Sequence, residues 1–383
     1  MFDRQDLPGI RRIVVKVGTS TLTHDTGKLN LEQMEKLVRQ VADLANQGYQ
    51  MILVSSGAVG AGMGRLGYRE RPKTIPEKQA CAAVGQGILL HMYEKLFAEY
   101  GQVVAQVLLT RDDLASRKRY INGGNTLETL LRLGAIPIIN ENDTVAVDEI
   151  RFGDNDTLSA LVAALVDSDL LVLLTDIEGL YSANPRTDRQ AQLISKVESV
   201  TPEIEAMAAG AGSNLGTGGM ATKIQAARIC SESGIAMVIA NGARPNVLRE
   251  IMAGQEIGTL FLPQDKPLPG YKRWLAFGST CNGRIYIDEG AVQALVSGGK
   301  SLLPCGIVAT DGLYQNGDLV SIIAPEGYEV ARGVSNYSLE QVRRIMGRQC
   351  LEIESLLGSK DYDEVVHRDN LTLMLPRQTS FSS

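Results

Sequence analysis

The chain has few of the side chains on which several classes of catalysis depend. Its 383 residues include only three histidines, at positions 24, 91 and 367, and none of them adjoins a serine or cysteine motif. We therefore expect no chemistry built on an imidazole base. The five cysteines are odd in number and form no C-x-x-C pair. This argues against a disulfide framework or a thiolate metal site and predicts reduced thiols in a cytoplasmic protein.

Long apolar runs and a strong charge of one sign are also missing. No segment approaches the roughly 18 uninterrupted apolar residues of a membrane span. The N-terminal segment MFDRQD is mostly polar and has no apolar h-region, so we expect no secretory signal. The formal net charge of −6 argues against nucleic acid or an anionic membrane as a partner of the whole molecule. The length is sufficient for two domains with a sizeable core.

Glycine and lysine, in contrast, stand together in residues 216–223, which read GTGGMATK. A helical pattern follows directly, so backbone N–H groups at a helix start and the ammonium of Lys223 would form an anion site, with phosphate as the anion. The spacing differs from that of the P-loop. The alternative is a flexible surface loop that precedes a helix.

A second lysine–glycine element lies near the N-terminus, in residues 13–20, IVVKVGTS. The β-branched run predicts a buried strand of a parallel sheet. Lys16 inside it is costly unless its ammonium meets an anion at the strand's end, where Gly18 and two hydroxyls form the turn. The alternative is a lysine that extends to solvent from an edge strand. Two such elements in one chain favour a shared anion site.

Strand-like and helical patterns alternate along the first part of the chain, which predicts a mostly parallel sheet with helices on both faces. A segment rich in proline then predicts a linker at 263–273, and the β-rich residues after it predict a small second domain. The predicted domains are 1–262 and 274–360, followed by a C-terminal tail at 361–383 that frays after about residue 370. The predicted strands are 12–17, 50–55, 103–109, 135–140, 169–174 and 236–240, with 283–287, 306–309 and 318–323 after the linker, and the predicted helices are 30–47, 76–100, 122–133, 156–166 and 219–233.

Polar clusters follow several of these strands. Residues 55–62, SSGAVGAG, predict another anion-receiving turn, and 140–144, NENDT, follow the fourth strand. In 152–157, FGDNDT, Asn155 or Asp156 could instead be only the cap of the next helix. Asp176, which ends another strand, could be only a turn residue.

Taken in order, the motifs VVKVGTS, SSGAVGAG, INENDTVA, FGDNDTLSA, LLTDIEGLY and GTGGMATK resemble the glutamate 5-kinase family of the amino acid kinase superfamily. The resemblance covers about residues 10–360, and residues 274–350 resemble a PUA domain. It implies an αβα sandwich around a mostly parallel eight-stranded sheet. It also implies ATP-dependent phosphorylation of the γ-carboxylate of L-glutamate, the first step of proline synthesis, with Mg²⁺.

The resemblance assigns roles to individual residues. Lys16, Lys223 and Asp154 are the expected catalytic residues, and Asp154 would hold the lysines in place through hydrogen bonds. Ser56, Asp143 and Asn155 match the glutamate-binding positions, with Asp143 facing the α-ammonium, and no protein residue is assigned to a metal. The expected ATP-binding residues are Lys16, Thr175, Asp176, Thr217, Gly218, Gly219, Met220, Ala221, Thr222 and Lys223.

The resemblance also implies partners: L-glutamate, L-proline as a feedback inhibitor, further copies of the chain in a dimer or tetramer, and a glutamyl phosphate reductase that receives the product. The alternatives are another superfamily member, such as an acetylglutamate or uridylate kinase, or an RNA-binding protein of the PUA type. Residues 274–347 hold five Lys or Arg against seven Asp or Glu. They therefore lack the basic surface that RNA binding requires.

Overall fold

The structure is a computed structural model. It describes residues 2–374 except 25, 27, 69, 147–154, 186, 187, 189, 211–218, 266, 268, 269, 279 and 280. The chain divides into two compact units between Leu268 and Pro269. Within the described residues, no helix combines the length and apolarity needed to cross a membrane.

An eight-stranded sheet forms the centre of the first unit, with the order β3-β4-β2-β1-β5-β7-β8-β6. The pairs from β3 to β7 along this order are parallel, whereas β8 runs antiparallel to β7. This confirms the predicted mostly parallel sheet. The strands are β1 (Arg12–Val17), β2 (Gln50–Ser55), β3 (Val104–Leu109), β4 (Ile136–Glu141), β5 (Leu170–Thr175), β6 (Lys196–Val197), β7 (Ala236–Asn241) and β8 (Thr259–Phe261).

Helices cover both faces of this sheet. Ile13, Val15 and Val17 of β1 share one apolar core with residues of α2 and α4. Because successive side chains of a strand point to opposite faces, Lys16 points to the other face, where it meets Asp156 of α7. The helices of this unit are α1 (Thr19–Leu22), α2 (Leu31–Asn46), α3 (Ala58–Leu66), α4 (Ile75–Ala98), α5 (Arg111–Ala115), α6 (Arg117–Arg132), α7 (Asn155–Leu165), α8 (Pro202–Gly210), α9 (Met220–Glu232) and α10 (Val247–Met252), with a 3-10 helix at Arg4–Gly9.

The glycine-rich segment after β2 forms a helix where the sequence predicted only a turn. Gly57, with φ of 101°, turns the chain out of β2, and α3 follows. Two glycines let α3 pack very closely on α4: a Cβ on Gly62 would lie 1.8 Å from the carbonyl oxygen of Cys81, and one on Gly85 would lie 1.7 Å from that of Ala58. Both obstacles are backbone atoms, so a side chain could enter only if the helices moved apart.

We therefore expect Gly85→Ala to lower the midpoint of thermal unfolding. Forcing a methyl group into a well-packed contact typically costs about 1–3 kcal/mol. Gly87→Ala is the matched control, because a Cβ there meets no atom within 4 Å. On an exposed helical position alanine stabilises by up to about 1 kcal/mol relative to glycine. Equal midpoints for the two variants would contradict the close packing of α3 on α4.

The second unit contains a five-stranded sheet of order β10-β9-β11-β12-β13, in which only the β9–β11 pair is parallel. It confirms the predicted β-rich second domain. The strands are β9 (Gly283–Ile287), β10 (Ile307–Gly312), β11 (Leu319–Ile323), β12 (Glu329–Val334) and β13 (Leu371–Leu373). The helices are α11 (Gly270–Arg273), a π-helix (Trp274–Gly278), α12 (Glu289–Val296), α13 (Leu339–Ile345) and α14 (Ile353–Leu357), with 3-10 helices at Pro304–Gly306, Cys350–Glu352 and Arg368–Asn370.

The second unit extends past residue 360, where the sequence placed its end. Val365 and Val366 are fully buried in the core of this unit. Residues 371–373, which the sequence placed in a fraying tail, form an edge strand paired with β12. The tail therefore supplies both core side chains and sheet hydrogen bonds, at least as far as Met374, whose N–H donates to the carbonyl of Val330.

Candidate active site

Several of the polar residues predicted from sequence lie at one edge of the first sheet. Parallel strands end at the same edge, and β1, β2 and β5 end there beside one another, with Val17 opposite Ser55 and Leu174. The segments that follow these strands begin with Gly18, Ser56 and Asp176. Ligands of open α/β sheets bind outside the carboxyl ends of the strands, so this edge is the candidate site.

One buried carboxylate joins the two lysine elements. The Asp156 Oδ1 atom lies 2.5 Å from the Lys16 Nζ, and its Oδ2 lies 3.0 Å from the Lys223 Nζ. The Thr222 hydroxyl lies 2.9 Å from Oδ2 and 2.8 Å from the Gly219 carbonyl, so these two acceptors share its one hydrogen. Asp156 in α7 therefore fixes the end of β1 and the first turn of α9 relative to each other.

These three charged side chains are almost completely shielded from water. The side chain of Asp156 is 1% exposed, that of Lys223 7% and that of Lys16 10%. Burial alone would raise the pKa of Asp156, but the adjacent ammonium groups of Lys16 and Lys223 outweigh it and hold that pKa well below its ordinary value. Asp156 is therefore a carboxylate at neutral pH, and two ammonium groups are held side by side.

A second polar network lies at the ends of β2 and β4 and contains only neutral groups. The Asn155 Nδ2 lies 2.9 Å from the Ser56 hydroxyl, 3.1 Å from the Ser55 carbonyl and 3.0 Å from the Asn140 Oδ1, so these three acceptors share its two hydrogens. The Asn140 Nδ2 donates to the Gln86 Oε1 at 2.8 Å. Ser56 and Asn155, both predicted to bind glutamate, thus share a hydrogen bond, and Asn155 adjoins Asp156 in α7. The neutral network and the charged trio therefore meet at the start of one helix.

The end of β5 brings in two further predicted residues. Thr175 is buried and its hydroxyl donates to the Asp176 carboxylate at 3.1 Å. The Thr175 carbonyl accepts from the N–H of Gly242, which follows β7. Asp176 is exposed to solvent at the same edge of the sheet as Lys16. A ligand at this edge could reach both Asp176 and the lysine pair.

The remaining predicted residues fall in different parts of the chain. Asp143 is half buried in the turn that follows β4, three residues after Asn140. Gly219 precedes α9, and Met220, Ala221, Thr222 and Lys223 form its first turn. Asp154, Thr217 and Gly218 lie outside the described residues.

Sequence reasoning missed two residues of this site. It treated Asp156 only as a possible helix cap and gave the lysine-holding role to Asp154, whereas among the described residues it is Asp156 that contacts both lysines. It also passed over Asn140, which is 2% exposed. The available signal for Asn140 was an amide at the end of a buried strand, because such a group must find a hydrogen-bond partner.

Comparison with known proteins finds similar sequences along nearly the whole chain. Residues 11–241 match the amino acid kinase family, and residues 283–357 match the PUA domain. A glutamate 5-kinase from Moorella thermoacetica is 59% identical over 371 residues, which cover 97% of this chain and 98% of that protein. A glutamate 5-kinase from Caldanaerobacter subterraneus subsp. tengcongensis is 58% identical over 363 residues, with 95% and 98% covered, and one from Geobacter sulfurreducens is 50% identical over 368 residues, with 96% and 99% covered. Among solved structures, UMP kinase from Ureaplasma parvum is 16% identical with a TM-score of 0.47, over 66% of this chain and 99% of that one.

Proposed function

We propose that this chain, which belongs to the amino acid kinase family, transfers the terminal phosphoryl group of ATP to the γ-carboxylate of L-glutamate. The product is L-glutamyl 5-phosphate, the activated carboxylate with which proline synthesis begins. The observation that carries the proposal is the pair of lysines held on one buried carboxylate at the ligand-binding edge of the sheet.

The chemistry needs little besides position and positive charge. A carboxylate nucleophile is already ionised at neutral pH, so no general base has to remove a proton from it. The site accordingly uses none of the three histidines. Phosphoryl transfer then depends on alignment of the two substrates and on neutralising charge at the transferring oxygens. Lys16 and Lys223 supply that charge, and Asp156 holds both ammonium groups on one carboxylate.

We assign the two ends of the site to the two substrates. ATP binds over the end of β5 and the first turn of α9, at Thr175, Asp176 and residues 217–223, where helix N–H groups suit phosphate. Glutamate binds at Ser56 and Asn155, beside the turn that holds Asp143. The shared hydrogen bond of Ser56 and Asn155 supports a single pocket for the glutamate. Lys16 and Lys223 lie between the two ends, where the phosphoryl group passes.

Mg²⁺ accompanies ATP in this proposal without a cage of protein ligands. Among the described residues, no group of three or more His, Cys, Asp or Glu side chains could hold a metal ion. Asp156, the buried carboxylate of the site, already contacts two lysines. Mg²⁺ normally keeps several waters and binds through substrate phosphates, so we place it on the nucleotide and assign no residue to it.

Further proposals rest on the resemblance of the sequence motifs. They are inhibition by L-proline at the glutamate site, assembly into a dimer or tetramer, and transfer of the product to a glutamyl phosphate reductase. A cytoplasmic location is supported by five cysteines that form no disulfide.

The proposed function is tested by ADP formation with different phosphoryl acceptors. We expect the purified full-length chain to form ADP from ATP when L-glutamate is supplied, and not with N-acetylglutamate or UMP. The physical reason is that Asp143 offers a negative charge to the α-ammonium, which N-acetylation removes. Equal turnover with either alternative acceptor would overturn the assignment to glutamate.

Replacing Asp143 tests the same assignment at one residue. We expect Asp143→Ala to raise the KM for glutamate by about tenfold or more while the KM for ATP hardly changes, because the negative charge proposed to face the substrate ammonium is lost. Asp43→Ala removes an exposed carboxylate of α2 and serves as the control. An unchanged KM for glutamate, with kcat alone reduced, would contradict this role for Asp143.

A further inference from the structure

We propose that Gln86 is a positioning residue for the substrate-binding amide of Asn155, on which it acts through Asn140. Gln86 lies on α4, and its Oε1 accepts a hydrogen bond of 2.8 Å from the Asn140 Nδ2. Asn140 in turn accepts from Asn155 at 3.0 Å. The proposal rests on the proposed function, since it assumes that Asn155 binds glutamate.

The orientation of all three amides follows from one backbone carbonyl. The Ser55 oxygen can only accept, so the side-chain atom of Asn155 that lies 3.1 Å from it must be the nitrogen. The same nitrogen faces Asn140 at 3.0 Å, so Asn140 must present its oxygen there. Asn140 then presents its nitrogen to Gln86, which must present an oxygen in return.

The burial of Asn140 prevents any of the three amides from exchanging its nitrogen and oxygen positions without losing a hydrogen bond. Asn140 is 2% exposed, so an amide that lost its partner on α4 could not turn to water instead. If position 86 offered a donor, Asn140 would have to rotate, and two NH₂ groups would then face each other between Asn140 and Asn155. Asn155 could relieve this only by leaving Ser55 and Ser56.

For the substrate, the consequence is that the side-chain oxygen of Asn155 is a hydrogen-bond acceptor in a fixed position. Because its nitrogen faces Ser55, Ser56 and Asn140, which share its two hydrogens, Asn155 has its oxygen to offer to a ligand. A carbonyl oxygen accepts from an ammonium, and the α-ammonium of glutamate is the donor available. Position 86 therefore needs an acceptor atom, whatever the rest of its side chain is.

Two substitutions of similar length separate the acceptor requirement from simple packing. Gln86→Glu keeps an acceptor oxygen in the same place, whether its carboxyl group is ionised or protonated. Gln86→Met keeps about the same volume but has only a weakly accepting sulfur. Steady-state kinetics with ATP and L-glutamate would be measured on both full-length variants, and thermal melting would confirm that each is folded.

We expect Gln86→Met to raise the KM for glutamate about tenfold and to leave the KM for ATP within about twofold of wild type. Gln86→Glu should keep a KM for glutamate close to that of wild type. The proposal is overturned if Gln86→Met leaves the KM for glutamate unchanged, if both variants are impaired alike, or if both KM values rise together. In the last two outcomes, size or stability at position 86 would matter rather than an acceptor atom.

If Gln86→Met does not melt cooperatively, Gln86→Asn replaces it. That side chain retains the amide but is one methylene shorter, so its oxygen cannot reach Asn140, and the same rise in KM for glutamate is expected. A wild-type KM for this variant would overturn the proposal. Wild-type turnover with glutamate is measured in the same experiment, and its absence would instead refute the proposed function.

Discussion

Replacing Lys223 by alanine is expected to lower kcat by about 100- to 1000-fold, with a much smaller change in the KM for glutamate. Lys223 lies in the first turn of α9, and its ammonium is 3.0 Å from the Asp156 carboxylate. The side chain of Lys223 is 7% exposed. Its charge acts on the phosphoryl group as that group transfers, so its effect appears mainly in the transition state. Loss of one preorganised electrostatic donor of this kind typically costs about that factor in rate.

The control for this variant is Lys36→Ala. Lys36 pairs with Glu32 on the surface of α2, where the two side chains are 39% and 73% exposed. Removing such a pair normally changes stability by less than about 1 kcal/mol and should leave kcat unchanged. If Lys223→Ala raised only the KM for glutamate and left kcat intact, Lys223 would be a substrate-binding residue rather than a catalytic one.

Asp156→Asn should lower kcat about as much as Lys223→Ala does, and it should also destabilise the first unit. Asparagine has the same shape but no charge, so two buried ammonium groups would lose the carboxylate that holds them together. Removing one partner of a buried ion pair typically costs about 3–5 kcal/mol in stability. We expect a lower midpoint of urea unfolding together with a kcat reduced by about 100-fold or more.

Asp43→Asn is the control for Asp156→Asn, because Asp43 is exposed and its carboxylate accepts from the side chain of Gln47, the residue that follows α2, at 3.0 Å. The pH dependence offers a second readout. The pKa of Asp156 is lowered from 3.8 in the folded chain, so its contribution to stability is complete above that value and is lost as the pH falls towards the lowered pKa. Asp156→Asn should lack this part of the acid dependence. A kcat and an unfolding midpoint equal to those of wild type would show that the lysines need no carboxylate.

The central strands were predictable from sequence because their physical signal is local. A continuous run of apolar residues can be buried on both faces of a parallel sheet, and β1, β2 and β5 lie within one residue of their predicted bounds. The need for a counter-charge beside Lys16, which the Asp156 carboxylate supplies, was predictable for a related reason. Lys16 interrupts such a run, and a lysine there requires a counter-charge.

Other elements depend on contacts that a local pattern does not contain. Helix α3 includes three glycines, whose low helix propensity favours a turn, and it forms because Gly62 allows close contact with the backbone of Cys81. Strand β13 has only three residues, and its pairing with β12 gives it its structure. Neither the close contact nor the pairing partner can be found from neighbours in sequence.

The same limit applies to the choice among adjacent side chains in the site. Residues 153–156 read GDND, and the sequence offers no means of deciding which of the three polar side chains meets the lysines. That choice depends on the position of α7 relative to Lys16, which lies 140 positions away from Asp156 in the sequence. The contact of Gln86 with Asn140 joins residues 54 positions apart and has no sequence signal of its own.

Trapping of the product with hydroxylamine tests the central claim most directly. Hydroxylamine converts an acyl phosphate to a hydroxamate, so it reports phosphorylation of a carboxylate rather than hydrolysis of ATP. With ATP, Mg²⁺ and L-glutamate, we predict that the wild-type chain forms γ-glutamyl hydroxamate in step with ADP, and that Lys223→Ala and Asp156→Asn lose both products together. ADP formed without any hydroxamate, or hydroxamate formed at the wild-type rate by either variant, would contradict the account.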